Sequence, residues 1–268
     1  MCIKKIIEWF TKPEPEPNPG PIEGNRKTAL LFGINNYPGS SNDLNGCLND
    51  ISDIAQRLSD DFPEFKTKLF KDSQVTRYTF ITEVTKEIGM LVPGDVLLIS
   101  YSGHGTQVYD ISGDEEDGYD EAIYLYDGSV IDDDIGDALK NIPDGATVIL
   151  MFDSCFSGTV TRRLNGDKTK FIKTEGLPLR KKKRKRFKKS EMKWIVFSGC
   201  SEQQTSADAL ISGRYNGAFT YYALKALTVD ITYREWIDKI HEYLPSKDFD
   251  QNPTLEGREG LFDKKVLT

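Results

Sequence analysis

A histidine and a cysteine stand just past the ends of two short apolar runs: His104 in Ser100-Tyr-Ser-Gly-His-Gly105, and Cys155 in Phe152-Asp-Ser-Cys-Phe-Ser-Gly158. A free thiol has a pKa of about 8.5; an adjacent imidazole raises its thiolate fraction and can later protonate a leaving amine. The pair therefore suits acyl transfer, with Cys155 as nucleophile and His104 as base. The chain has two histidines. His241 lies where Trp236, Ile237, Ile240 and Leu244 recur at helical spacing behind a capping box from Thr232 to Glu235, so it reads as a surface helix residue. His104 lies between two glycines, which lets a substrate backbone come close. Backbone N–H groups of Cys155 and Gly105 are the expected donors to an oxyanion, and no acidic third member can be named, which leaves a backbone carbonyl to orient the imidazole.

The runs that carry these residues, Asp95–Tyr101 and Thr147–Phe152, are too short for helices and read as buried strands. In an open α/β sheet, chemistry gathers beyond the carboxyl ends of the strands, which is where both residues fall. From Lys27 onward strand and helix patterns alternate. Strands are expected near 27–34, 66–70, 95–101, 146–152 and 194–199, and helices near 43–60, 76–91, 133–141, 217–228 and 232–244, with a small extra strand around Ala122–Tyr126. The predicted class is α/β, a mostly parallel central sheet with helices on both faces. At 268 residues the chain can form one large domain, assigned to 27–268.

Residues 1–26 read as an arm. Met1–Phe10 is basic and amphipathic, and Lys12–Pro21 is an extended proline-rich spacer. Cys2 beside basic and aromatic residues suggests lipidation or membrane contact, against a docking arm or frayed tail. No stretch approaches the roughly 20 apolar residues that span a bilayer. The cysteines at 2, 47, 155 and 200 show neither metal-ligand spacing nor a disulfide framework, which suits a reducing, cytoplasmic setting. Cys200 reads as structural.

Taken in order, Tyr101-Ser-Gly-His-Gly-Thr-Gln107 and Asp153-Ser-Cys-Phe-Ser-Gly-Thr159 resemble the caspase-like cysteine peptidases, on the metacaspase and orthocaspase branch. Ala29–Asn35, Leu44–Asp50, Gly113–Glu121, Gln204–Asp208, Gly217–Thr220 and Gln251–Thr254 extend the resemblance in order along nearly the whole chain past the arm. It implies a caspase-like fold, a monomer, and protein or peptide substrates cut by a Cys-His dyad without an organic cofactor. It also assigns Cys47, Asp50, Ser102 and Asp153 to the pocket for the side chain before the scissile bond. Two carboxylates there would bind a guanidinium or ammonium and exclude an acid, so Arg or Lys is the expected residue. Read without the resemblance, Asp50 is a helix-start acid and Cys47 a core thiol. The alternative is a catalytically silent scaffold of the same fold.

The net charge of −7 hides two opposed blocks. Eleven acids and no Lys or Arg lie between Asp110 and Asp134, whereas nine of the ten residues from Arg180 to Lys189 are basic. The acidic block does not match an EF-hand loop. The resemblance implies calcium at Asp120, Asp132 and Asp133, with two departures: a shortened spacing, and Arg162 where the family supplies a further aspartate. Calcium binding and a solvated acidic loop remain the alternatives. The basic block falls in a loop of about 160–193, read as exposed and as a site of self-processing. Specific nucleic-acid binding is not expected, because the chain is acidic and the block carries one aromatic, Phe187.

Overall fold

The five expected strands form five parallel strands of one sheet: β1 (Lys27–Gly33), β2 (Phe65–Lys71), β3 (Val96–Ser102), β7 (Thr147–Asp153) and β9 (Trp194–Ser198). The structure is a computed structural model and describes residues 24–109, 119–155, 167–172, 189–200 and 206–268. The strand order is β12-β9-β7-β3-β1-β2, with β12 (Thr254–Gly257) antiparallel on one edge. The other edge, β2, alternates lysines with apolar residues and is only part-buried, a composition that discourages pairing with another chain.

Along β1 the side chains alternate between two cores, as a strand buried on both faces requires. Leu30 and Phe32 join the core that takes Phe80, Val84 and Ile88 of α2 (Arg77–Gly89) and Leu139 of α3 (Asp132–Leu139). Ala29 and Leu31 join the core containing Ile51, Ile54 and Leu58 of α1 (Cys47–Asp61), Phe219 of α4 (Ala218–Ala226) and Trp236 of α5 (Tyr233–His241). Helices thus cover both faces. Helix α5 starts with the expected Thr232–Glu235 capping box, and the exposed His241 bonds the Pro253 carbonyl at 2.8 Å.

Two small sheets flank the carboxyl edge. One comprises β4 (Gly105–Tyr109), β5 (Tyr119–Leu125) and β6 (Gly128–Ile131). The other comprises β8 (Lys168–Thr169), β10 (Ala207–Ile211) and β11 (Arg214–Gly217). The expected extra strand is therefore β5, longer than the sequence indicated and set in a meander. Among the described residues, no helix is long and apolar enough to cross a membrane.

Candidate active site

Strands β3 and β7 run in parallel register with Ser102 opposite Asp153, so the chain leaves both strands at one point. Two residues further along the first exit lies His104, and two along the second lies Cys155. Both are buried. The His104 ring is held on one side by its Nε2, 2.7 Å from the carbonyl of Asn42, and packs against Tyr37 with ring centres 4.8 Å apart. Its backbone N–H donates to the Tyr37 hydroxyl at 2.8 Å, and its carbonyl accepts from the Tyr101 hydroxyl at 2.9 Å. A backbone carbonyl is therefore the orienting group, and it fixes the tautomer: the Nε2 proton faces Asn42 and Nδ1 is left as the acceptor. Nδ1 is buried and has no hydrogen-bond partner among the described residues.

The Cys155 thiol donates to the Ser206 carbonyl at 3.2 Å and closely accepts from the Ser206 N–H. The structure thus brings the two residues to one site, but no hydrogen bond joins thiol and imidazole. Burial and the neighbouring Cys200 thiol push Cys155 well above the ordinary thiol range. Burial pushes His104 down to about 4 against the opposing pull of the Asn42 carbonyl, and the charges of Lys170 and Lys168 lower it further. Both shifts favour the neutral forms of the pair.

This depressed imidazole has a consequence for stability. Between its ordinary value of 6.5 and about 4, the unfolded chain takes up a proton that the fold refuses. His104 therefore costs nothing above that window and about 3 kcal/mol below it. Urea unfolding at pH 7 and at pH 4.5 should show a smaller acid loss in His104→Gln than in the wild type. Equal losses would contradict the assignment.

Three of the four residues assigned to the specificity pocket, Asp50, Ser102 and Asp153, meet around one cation supplied by the chain. Lys170 is fully buried, and its Nζ lies 3.1 Å from Asp50 Oδ2, 3.1 Å from Asp153 Oδ1 and 2.9 Å from Ser102 Oγ. This corrects the expectation of an exposed loop across 160–193: its described stretch from 167 to 172 threads the site, because two buried carboxylates require a counter-charge. Each carboxylate is otherwise saturated by donors. Asp50 accepts from Ser102 Oγ at 2.6 Å and from the Gly217 N–H at 2.9 Å, while Asp153 accepts from Ser206 Oγ at 2.5 Å and from Thr220 Oγ1 at 2.7 Å. Burial works against the Lys170 ammonium, yet Asp153, Cys47 and Asp50 outweigh it and hold its pKa well above the lysine range. Burial raises the Cys47 thiol, which lies against Ser102.

The backbone of the same segment continues the pattern. The Lys170 carbonyl oxygen accepts from Gly105 N–H at 2.8 Å and from Cys155 N–H at 3.1 Å, the two expected oxyanion donors. The Lys170 N–H donates to the Ser206 carbonyl at 3.2 Å, Lys168–Thr169 pairs antiparallel with Ala207–Asp208, and the Ile172 N–H donates to the Gly105 carbonyl at 2.9 Å. Residues 168–172 thus lie across the site, paired as a strand at Lys168–Thr169, bent at Lys170 and bridged from Phe171 to Gly105, with the Lys170 carbonyl against the Gly105 and Cys155 N–H groups.

Asn42, Tyr37, Ser206, Asp208, Thr220 and Lys170 carry much of this geometry and are not among the site residues that the sequence alone singles out. Ser206, Asp208 and Thr220 fall in segments that contributed to the resemblance, so a signal was present. Asp208 accepts from the N–H groups of Asn45 and Gly46 at 2.6 and 2.7 Å and so fixes the start of α1, where Asp50 sits. Asn42, acting through its backbone, leaves no trace in residue type.

The acidic positions are only partly in view. In the β5–β6 hairpin Ala122 faces Ile131, so Asp120, two residues before Ala122, and Asp132 and Asp133, which open α3, lie at the same end of the hairpin. Their side chains and all of Arg162 lie outside the described residues, as does the basic run 180–188. Among the described residues, no group of three His, Cys, Asp or Glu could hold a metal ion.

Residues 26–261 match the caspase domain of peptidase family C14. Metacaspase-1 of Cryptococcus neoformans is 30% identical over 307 residues, covering 90% of this chain and 65% of that protein. Metacaspase-1 of Meyerozyma guilliermondii is 31% identical over 284 residues, covering 86% of this chain and 69% of that protein. Among solved structures, a Geobacter sulfurreducens protein superposes with a TM-score of 0.71 at 27% identity, covering 90% of this chain and 98% of its own. Caspase-1 of Spodoptera frugiperda, at a TM-score of 0.60 and 13% identity over 92% of this chain and 93% of its own, shares the fold. With the sheet order, the paired strand exits and these matches in agreement, the chain belongs to the caspase-domain family, on its metacaspase branch.

Proposed function

We propose that the protein is a cysteine endopeptidase that cleaves after lysine or arginine and processes itself at the Lys170–Phe171 bond. The observation that carries this reading is Lys170, whose side chain sits among Asp50, Ser102 and Asp153 while its carbonyl accepts from Gly105 and Cys155. In that pose the thiol turns from Ser206 to the Lys170 carbonyl carbon and passes its proton to His104 Nδ1. The two N–H donors hold the oxygen as it becomes negative. His104 returns the proton to the Phe171 nitrogen as the C–N bond breaks, and water then hydrolyses the thioester. Until it leaves, the same segment blocks other substrates.

Calcium is proposed as a ligand of Asp120, Asp132 and Asp133, supported by their placement at one end of the β5–β6 hairpin. The proposed setting is cytoplasmic.

The test uses the full chain and its Cys155→Ala variant, assayed on fluorogenic peptides ending in Lys, Arg, Asp or Asn, with calcium or chelator. Mass spectrometry follows self-cleavage, and calorimetry follows calcium binding directly. The expected result is hydrolysis of the Lys and Arg peptides and a new amino terminus at Phe171, both absent from the variant. A preference for acidic peptides would overturn the pocket assignment. A folded wild-type chain that cleaves nothing, itself included, would leave the silent scaffold.

A further inference from the structure

Besides Cys155 and the pocket thiol Cys47, the described residues hold one more buried free cysteine, Cys200, which has no part in this chemistry. It lies beside the nucleophile for topological reasons. Strands β7 and β9 are parallel neighbours with Phe152 opposite Ser198, and the Gly199 N–H donates to the Phe152 carbonyl at 2.8 Å. Cys155 follows Phe152 by three residues and Cys200 follows Ser198 by two, so both leave the same edge on adjacent strands. The Cys200 Sγ donates to the carbonyl of Ser154, the residue before Cys155, at 3.5 Å. Neighbouring strands lie about 4.8 Å apart, within the span of roughly 4.4–6.8 Å between Cα atoms that a disulfide bridges.

A catalytic thiolate is also the group most open to peroxide, and a cysteine oxidised alone proceeds to an irreversible sulfinic acid. We propose that Cys200 is a resolving thiol, so that peroxide converts Cys155 and Cys200 into a disulfide that reversibly switches the site off. The Cys155 thiolate attacks hydrogen peroxide, giving a sulfenic acid and hydroxide. The Cys200 sulfur then attacks the sulfenic sulfur, forming the S–S bond, expelling the hydroxyl as water and giving up its own proton. Two thiols and one peroxide thus yield one disulfide and two waters. The chemistry belongs to the state in which Lys170 has withdrawn, since the plugged site keeps the thiol neutral and buried. Its activity arm rests on the peptidase reading; the cross-link itself does not.

The full chain is treated with graded hydrogen peroxide, alkylated, and digested without reduction for peptide mapping. A Cys155–Cys200 cross-linked peptide is expected, absent from Cys200→Ser and Cys200→Ala. Dithiothreitol should restore nearly all wild-type activity on a lysine peptide, but less than about a tenth in either variant, where Cys155 has become sulfinic. Because Lys170 lies between the two cysteines, self-processed chains should run as one band on a non-reducing gel and as two after reduction. Wild-type Cys155 found free, sulfinic or joined to Cys47 would overturn the proposal. A protein without peptidase activity that still forms the cross-link would keep the proposed pair and refute only the proposed function.

Discussion

Asp50→Asn should lower the preference for a lysine peptide over its norleucine twin by about 30-fold to 5,000-fold. The range is the roughly 2–5 kcal/mol lost when one partner of a buried, hydrogen-bonded charge pair is truncated. Asp50 is fully buried, and every group around it donates: Ser102 Oγ, the Gly217 N–H, Asn216 Nδ2 and the cation itself. An amide has one acceptor oxygen, so its NH2 must face one of these donors while half the negative charge of the pocket is gone. The ratio of the two kcat/KM values is the right readout because Lys170 competes equally with both peptides, so its occupancy cancels. A change of less than about threefold, in a variant whose thermal unfolding matches the wild type, would show that Asp153 alone confers the preference.

How far such a site can be read from sequence depends on how each residue acts. His104 and Cys155 were legible because strand ends in a parallel sheet converge, and Ser102 lies opposite Asp153 as that convergence requires. Of the five parallel strands, β3 and β7 were legible as unbroken apolar runs of buried length, whereas the edge strand β2 mixes lysines with apolar residues and was legible from its place in the strand–helix alternation. Strand β12 was not, since Thr254–Gly257 is short, part-buried and held by an antiparallel edge. Asp50 shows the limit from the other side. An acid in the first turn of a helix is ordinarily a capping preference, and here the same residue turns its carboxylate into a pocket. Lys170 was hidden by composition: a lysine in a basic loop looks solvated, and only the three-dimensional arrangement of two buried carboxylates makes it the most buried cation among the described residues.

Gly105→Ala should slow self-cleavage by about a thousandfold or more while leaving the protein folded. A Cβ built on Gly105 would stand 2.0 Å from the Cys155 carbonyl oxygen, 2.7 Å from its carbon and 3.2 Å from its nitrogen. Those are backbone atoms that no rotamer change can move. The strand must shift, and it carries one of the two proposed oxyanion donors while pressing on the residue that carries the other. Loss of a single donor costs about 10²–10³ in rate, and displacement of both costs more, because these bonds strengthen as the oxygen gains charge. The clash is steric rather than conformational, and its effect is largest at the transition state, where the displaced N–H groups would meet the fullest charge. The expected signature is a collapse of kcat with little change in KM, with alkylation of Cys155 at a wild-type rate. Self-cleavage within about threefold of the wild type would mean that the Gly105 and Cys155 N–H groups hold the resting Lys170 carbonyl but not the oxyanion, and the site would need another donor.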